Sequence, residues 1–239
     1  MKSKNCATRM PPMTHFEGIL PLNKPPGKTS FAMVGILRKL TGIRTIGHAG
    51  TLDPFATGVL LLLIGKPFTK LSSQFLNQDK EYLAKLHLGV STDSFDCDGQ
   101  TLVLSPLIPT LAEIEKALLF FQGTIQQIPP MFSAKKIGGK KLYELARKGI
   151  SIERQPVSIT LTTQLISFNY PYLEIQVHCS KGTYIRSIAD DLGNMLGCGA
   201  HLCALERIRS GAVRIEECCD ATQLNDPAYH WQQFLRFNP

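Results

Sequence analysis

In GHAGTLDPFATGVL, residues 47 to 60, a single carboxylate stands between glycine-bearing flanks, just ahead of an aliphatic run. Pro54 pushes Asp53 away from helical backbone toward an extended or turn conformation. Gly47, Gly50 and Gly58 permit positive φ or close backbone approach, and Leu52 and Val59 supply an apolar wall. A carboxylate so placed needs a cationic partner to stay ionised. CSKGTYIRSIADDLG offers one in Arg186, two residues after Tyr184, where a strand-to-helix junction can aim both side chains into one cleft. The plainer alternatives are an ordinary Asp-Pro turn and a surface salt bridge from Arg186 to Asp190 or Glu206. Alone, these residues indicate a pocket and leave its reaction open.

Other chemistries fail on single residues. PPGKTS matches the end of a phosphate-binding loop through Gly27, Lys28 and Thr29, but Leu22 stands where the first glycine is required. SFDCDG imitates a calcium loop, but Ser94 and Ser105 occupy the first and twelfth ligand positions, so a solvated acidic turn is expected. Cys198, His201 and Cys203 have no fourth ligand at zinc spacing, and alternation places His201 and Cys203 on one strand face. Small buried thiols and a satisfied histidine are expected there, with no metal site.

The elements that must position these residues follow from periodicity. GILPLN, VLLLLIG and KEYLAKLHLGV read as strands, the second buried and the third half-buried. SFAMVGILRKL reads as a helix capped by Thr29 or Ser30, and LAEIEKALLFF as another. KLYELARKG reads as a helix ending at Gly149. PVSITLTTQLISF and NYPYLEIQVHCS form a hairpin turning at residues 169 to 171. GTYIRSIADDLGNMLG is helical and HLCALERIRSGAV a closing strand. Hairpins without regular βαβ alternation predict an α+β fold, a mainly antiparallel mixed sheet flanked by helices.

Composition sets limits on the partner. Lysine and arginine number 26 against 19 acidic residues, for a formal charge of +7, which suits a polyanion. Seven cysteines form no CxxC pair, and no signal-like apolar segment opens the chain, so reduced thiols in a cytoplasmic protein are expected. VLLLLIG is far too short to span a bilayer, so no membrane role is expected.

Four segments occur together and in order: GHAGTLDPFATGVL, KEYLAKLHLGVSTDSFDCDGQ, QQIPPMFSAKKIGGKKLYELARKG and CSKGTYIRSIADDLG. Across about residues 18 to 213 the chain resembles the TruB family of tRNA pseudouridine synthases. The resemblance implies a pseudouridine synthase fold that isomerises uridine 55 in the T-loop of tRNA, with neither cofactor nor metal. Asp53 would be the catalytic aspartate, either as nucleophile or as base for the ribose 2′ proton, and Arg186 would keep it ionised. Tyr82 would stack on the flipped base and take the C5 proton, although a strand tyrosine facing the core is the plain alternative. Tyr184 and Leu205 would line the uracil pocket, and His48 would hold the flipped T-loop. Lys24, Lys66, Lys135, Lys136, Lys140, Lys141, Arg207 and Arg209 are the candidate phosphate contacts.

The expected organisation is an N-terminal tail (1–16), a catalytic domain (17–213) with an insertion at about 124–152 that contacts the T-arm, and a short extension (214–239). That extension is too short for the complete PUA-type RNA-binding domain many relatives carry, and Glu206 stands where relatives often have a second basic residue. A monomer is expected. A non-catalytic tRNA-binding protein would not need Asp53, and a metal-dependent nuclease would need clustered carboxylates, for which the DSFDCD turn is the one candidate.

Overall fold

The aliphatic run after Asp53 is apolar at every position because both faces of its strand are covered. The computed structural model describes residues 16–237 other than 134, 135, 138 and 147; the tail expected at 1–16 thus lies almost wholly outside the described residues. In chain order the first half comprises β1 (Gly18–Lys24), α1 (Ser30–Thr41), β2 (Ile46–Ala49), β3 (Thr57–Ile64), α2 (Lys66–Thr69), α3 (Ser72–Leu76), β4 (Lys80–Leu88), β5 (Val90–Thr92), β6 (Thr101–Leu104) and α4 (Leu111–Leu118). The second half comprises β7 (Gly123–Gln127), β8 (Lys136–Ile137), β9 (Lys140–Lys141), α5 (Leu142–Ala146), β10 (Val157–Asn169), β11 (Tyr172–Cys179), α6 (Ile185–Met195), β12 (Ala200–Ser210), β13 (Val213–Arg214) and β14 (Cys219–Asp220).

Among the described residues one sheet runs β14-β1-β3-β12-β4-β11-β10-β7, with β2 on β3 and β13 on β12. Pairing is antiparallel except where β14 meets β1 and β12 meets β3, so the sheet is mixed. Leu60, Leu62 and Ile64 of β3 join the main core under α1, α4 and α6, while Val59, Leu61 and Leu63 join a second core with Phe75 of α3. The closing strand of the sequence, β12, is central in space, between β3 and β4.

Local chemistry sets several boundaries. Thr29 accepts from the Ala32 N–H to start α1, and Gly42, at φ 75°, ends it by donating to the Arg38 carbonyl. Thr110 and Glu113 close a capping box on α4. Helix α5 stops at Ala146, three residues short of the expected Gly149. Strand β2 was not anticipated, because four residues containing a glycine carry too little pattern to read as a strand.

Strand β12 is not regular. Its pairing with β4 slips between Leu202 and Ala204 and again between Arg207 and Arg209. Each slip is a bulge, so Cys203 and Ile208 are extra residues and the inside-outside alternation reverses at both. Simple alternation therefore does not set the direction of Cys203, whose thiol donates to the Lys85 carbonyl at 3.2 Å, while His201 stacks on His87 at 5.2 Å. The C-terminal residues pack back on the sheet edge: Ile19 and Arg236 exchange backbone bonds of 2.9 Å, and buried Trp231 meets Phe16 at 5.4 Å.

Candidate active site

Asp53 sits on a turn stitched to its neighbours from below. Leu52 N–H donates to Ser30 Oγ at 2.9 Å, and the Ser30 hydroxyl returns a bond to the Leu52 carbonyl at 3.2 Å. Gly27 N–H reaches the Pro54 carbonyl at 2.9 Å, and Ala56 N–H closes the turn on the Asp53 carbonyl at 3.1 Å. Lys24 Nζ bonds the carbonyls of Pro25, Lys28 and Pro54 at 2.9, 2.7 and 3.2 Å. The PPGKTS loop thus acts as a brace for the Asp53 turn. The Asp53 side chain remains 33% exposed, so the carboxylate is fixed yet reachable.

Arg186, the second residue of α6, grips that carboxylate in a fork. Its Nε lies 2.9 Å from Oδ2 and one terminal nitrogen 3.1 Å from Oδ1 of Asp53. The same terminal nitrogen donates to the Phe132 carbonyl at 2.8 Å; the other serves the Ser94 carbonyl at 3.2 Å and Asp96 Oδ2 at 3.1 Å. With its donors so engaged, the buried guanidinium is a fixed clamp. Neither Asp190 nor Glu206 is its partner among the described ion pairs.

The second carboxylate overturns the reading of SFDCDG as a solvated turn. Asp96 is buried, with Oδ1 accepting from the Ser94 hydroxyl and from Asp98 N–H at 3.1 Å, and Thr92 Oγ1 donates to its carbonyl at 2.8 Å. The alternating Thr92, Ser94 and Asp96 were the available signal, three polar residues at strand spacing that together build a seat for an acid.

Burial pushes the Asp53 carboxyl above the usual carboxylate range; Arg186 opposes this, Asp96 adds to it, and Lys24 opposes it more weakly. Burial also lowers Lys24, to about 8, against the pull of Asp53. Two carboxylates and two cations thus balance around the turn.

Tyr82 on β4 is buried, directly across the ladder from buried Arg207 on β12, and burial pushes its phenol above the usual tyrosine range. Leu205, two residues earlier on β12, is buried opposite Ala84. Tyr184 caps α6, half-buried, and the buried Gln127 side chain fixes its backbone with bonds of 3.0 and 2.8 Å. His48 on β2 is half-buried, with Nδ1 enclosed and unpartnered; burial, and secondarily Arg207, holds its pKa down. Among the described residues none of these four hydrogen-bonds to the Asp53 side chain, so Asp53, Arg186 and Asp96 form the tight centre.

The phosphate-contact candidates divide. Lys24 and Arg207 are fully buried and spend their donors on carbonyls, which corrects their assignment: neither can reach a phosphate. Arg209 is committed to Asp79 at 2.9 Å and Glu81 at 3.1 Å. Lys66 is exposed at the start of α2. Lys135 and the side chains of Lys136, Lys140 and Lys141 lie outside the described residues.

The mixed sheet with its flanking helices is the fold of the pseudouridine synthases. One solved structure, of a Cbf5-Nop10-Gar1 complex, aligns with TM-score 0.71 and 26% identity, covering 97% of this chain and 62% of that one. A second, an H/ACA RNP bound to a substrate RNA containing 2′-deoxyuridine, gives 0.65 and 26%, covering 90% and 55%. The chain therefore spans under two thirds of both structural relatives. The family model for the TruB family pseudouridylate synthase N-terminal domain matches residues 38–185, and that for the tRNA pseudouridylate synthase B C-terminal domain matches 186–236. The tRNA pseudouridine synthase B of Protochlamydia amoebophila (strain UWE25) is 59% identical over 225 residues, covering 94% of this chain and 86% of the relative. That of Chlamydia felis is 57% identical over 220 residues, covering 92% and 94%. The chain belongs to the TruB family of pseudouridylate synthases. No helix among the described residues is long and apolar enough to cross a membrane.

Proposed function

We propose that this enzyme converts uridine 55 in the T-loop of tRNA to pseudouridine, as a cytoplasmic monomer without cofactor or metal. The observation that carries the reading is a reachable carboxylate, Asp53, held in a fork by a buried arginine that is itself anchored to Asp96. The base leaves the T-loop stack to reach Asp53. The bond from ribose C1′ to uracil N1 breaks, the base rotates, and C1′ bonds to C5. Asp53 acts at C1′ as nucleophile or at the 2′ proton as base, and either role requires the ionised form that Arg186 favours. Tyr82 stacks on the base and takes the proton displaced from C5, while N1 gains a proton from water. Tyr184 and Leu205 line the uracil pocket, and His48 supports the opened loop. Lys66 and the lysines at 135, 136, 140 and 141 meet phosphates, the latter four from an insertion that clamps the T-arm.

The test is label release from tRNA tritiated at uridine C5, without added metal. Wild-type release with none from Asp53→Asn, tRNA binding being kept, supports the reading. Tight binding with no release from either protein returns the chain to a binding-only role.

A further inference from the structure

The helix that carries Arg186 begins without a cap of its own. Tyr184 stands at the N-cap position of α6, and its side chain makes no capping bond. The Thr183 hydroxyl, one residue earlier, is turned back to the Ser180 carbonyl at 3.0 Å. The anchor comes instead from 57 residues away in sequence. Gln127, the last residue of the edge strand β7, is 1% exposed. Its amide oxygen accepts from the Tyr184 N–H at 2.8 Å, and its amide nitrogen donates to the Tyr184 carbonyl at 3.0 Å.

The backbone of Tyr184 is suited to this grip. It is extended, at φ −104° and ψ 107°, so its N–H and C=O point to the same side. One primary amide can then bond both, as a partner residue does in an antiparallel ladder. Two further bonds lie beside this one: Ser187 Oγ donates to the Ile128 carbonyl at 3.2 Å, and Arg186 to the Phe132 carbonyl at 2.8 Å. In those two the segment after β7 contributes only backbone carbonyls, which any residue would supply. At Gln127 the side chain itself makes the contact, so its identity matters. Burying an amide at this place is costly unless both its ends are used, and here they are.

We infer that Gln127 is the positioning residue for Tyr184. Its amide fixes the backbone from which the tyrosine ring reaches the uracil pocket, two residues before the arginine that grips Asp53. The inference rests on the proposed isomerase reading, in which Tyr184 lines that pocket.

The test is single-turnover tritium release at saturating enzyme for wild type, Gln127→Met and Gln127→Glu, with tRNA affinity and thermal unfolding measured alongside. The rate constant then reports the geometry of the bound site and is indifferent to how much of the enzyme is folded. Losing both bonds predicts a rate constant about tenfold to thirtyfold lower for Gln127→Met, with tRNA affinity within about threefold of wild type. Gln127→Glu keeps the shape; ionised it accepts but cannot donate, and protonated it does both. Burial raises its pKa, so its deficit relative to wild type should shrink by at least about threefold from about pH 9 to about pH 5.5, while that of Gln127→Met stays constant. In a Tyr184→Ala background, Gln127→Met should cost less than about twofold more, because the ring it positions is gone. If Gln127→Met does not fold, Gln127→Glu decides. Wild-type rate constants with only a lowered melting temperature, or a loss carried by tRNA affinity, overturn the inference. So do a Gln127→Glu deficit flat in pH, losses additive with Tyr184→Ala, and failure of both Gln127 variants to fold. An inactive wild type would overturn the isomerase reading instead.

Discussion

Two arginines each hold a pair of carboxylates, and the pairs behave oppositely. Arg186 joins Asp53 and Asp96 inside the protein; Arg209 joins Asp79 and Glu81 at its surface. Asp79, 44% exposed and also 2.6 Å from His178, is held well below the usual carboxylate range by its bonds to Arg209 and His178. Asp53, with an equally good fork, is pushed above that range because burial outweighs the arginine. An arginine partner alone does not make a carboxylate placid; the desolvation around it decides. The inner pair holds a charge that its surroundings disfavour, as suits a reacting group, while the outer pair is relaxed.

The sharpest way to break this contrast is to neutralise one acid of each pair. Asp53→Asn should slow label release by at least about a thousandfold, with tRNA affinity within about threefold. Asp96→Asn should slow release about tenfold to a hundredfold by loosening the Arg186 clamp, and should lower stability by about 3 kcal/mol, measured by urea unfolding. A third test sets the two acids against each other through pH. Activity requires Asp53 ionised and its pKa is raised, so the rate should fall with decreasing pH at a point above about 3.9, the ordinary aspartate value. Because Asp96 contributes to that rise, Asp96→Asn should move the acid limb to lower pH even as the plateau drops. An unmoved limb would assign the shift to burial alone.

The smallest effect belongs to the outer pair. Asp79→Asn should cost under about 1 kcal/mol, given its exposure, and leave label release unchanged. Its pKa is depressed in the folded state, so its contribution is complete above about 3.9, the unfolded value, and is lost as pH falls further. High salt should shrink it. An Asp79→Asn effect on catalysis would show that the two arginine sites are coupled.

Much of the scaffold was legible because the period of each long segment was unambiguous. KEYLAKLHL alternates as a half-buried strand should, and the β10–β11 hairpin turns at Tyr170–Pro171, inside the expected stretch. The roles assigned to Asp53, Arg186, Tyr82, Tyr184, Leu205 and His48 came from the resemblance of the motifs, which spacing alone could not supply. Asp96 escaped because acids near a glycine look like a solvated turn until a cation 90 residues away is folded over them. Lys24 and Arg207 escaped because a basic residue in a nucleic-acid enzyme invites a phosphate, and nothing local announces that its donors are already spent on carbonyls.

The two bulges in β12 make that strand a phase shifter. In an unbulged strand Arg207 and Arg209, two residues apart, would point the same way; with Ile208 as an extra residue, Arg207 lies opposite Tyr82 while Arg209 turns to Asp79 and Glu81. Together the extra residues restore the count, so Ala200 and Ser210 keep their places opposite Leu88 and Lys80 while the segment between them is read in a different frame. Deleting one residue there would exchange the faces of a block of side chains with hardly any change in composition. In this enzyme the reading frame of a strand is as much a part of the active site as any residue it carries.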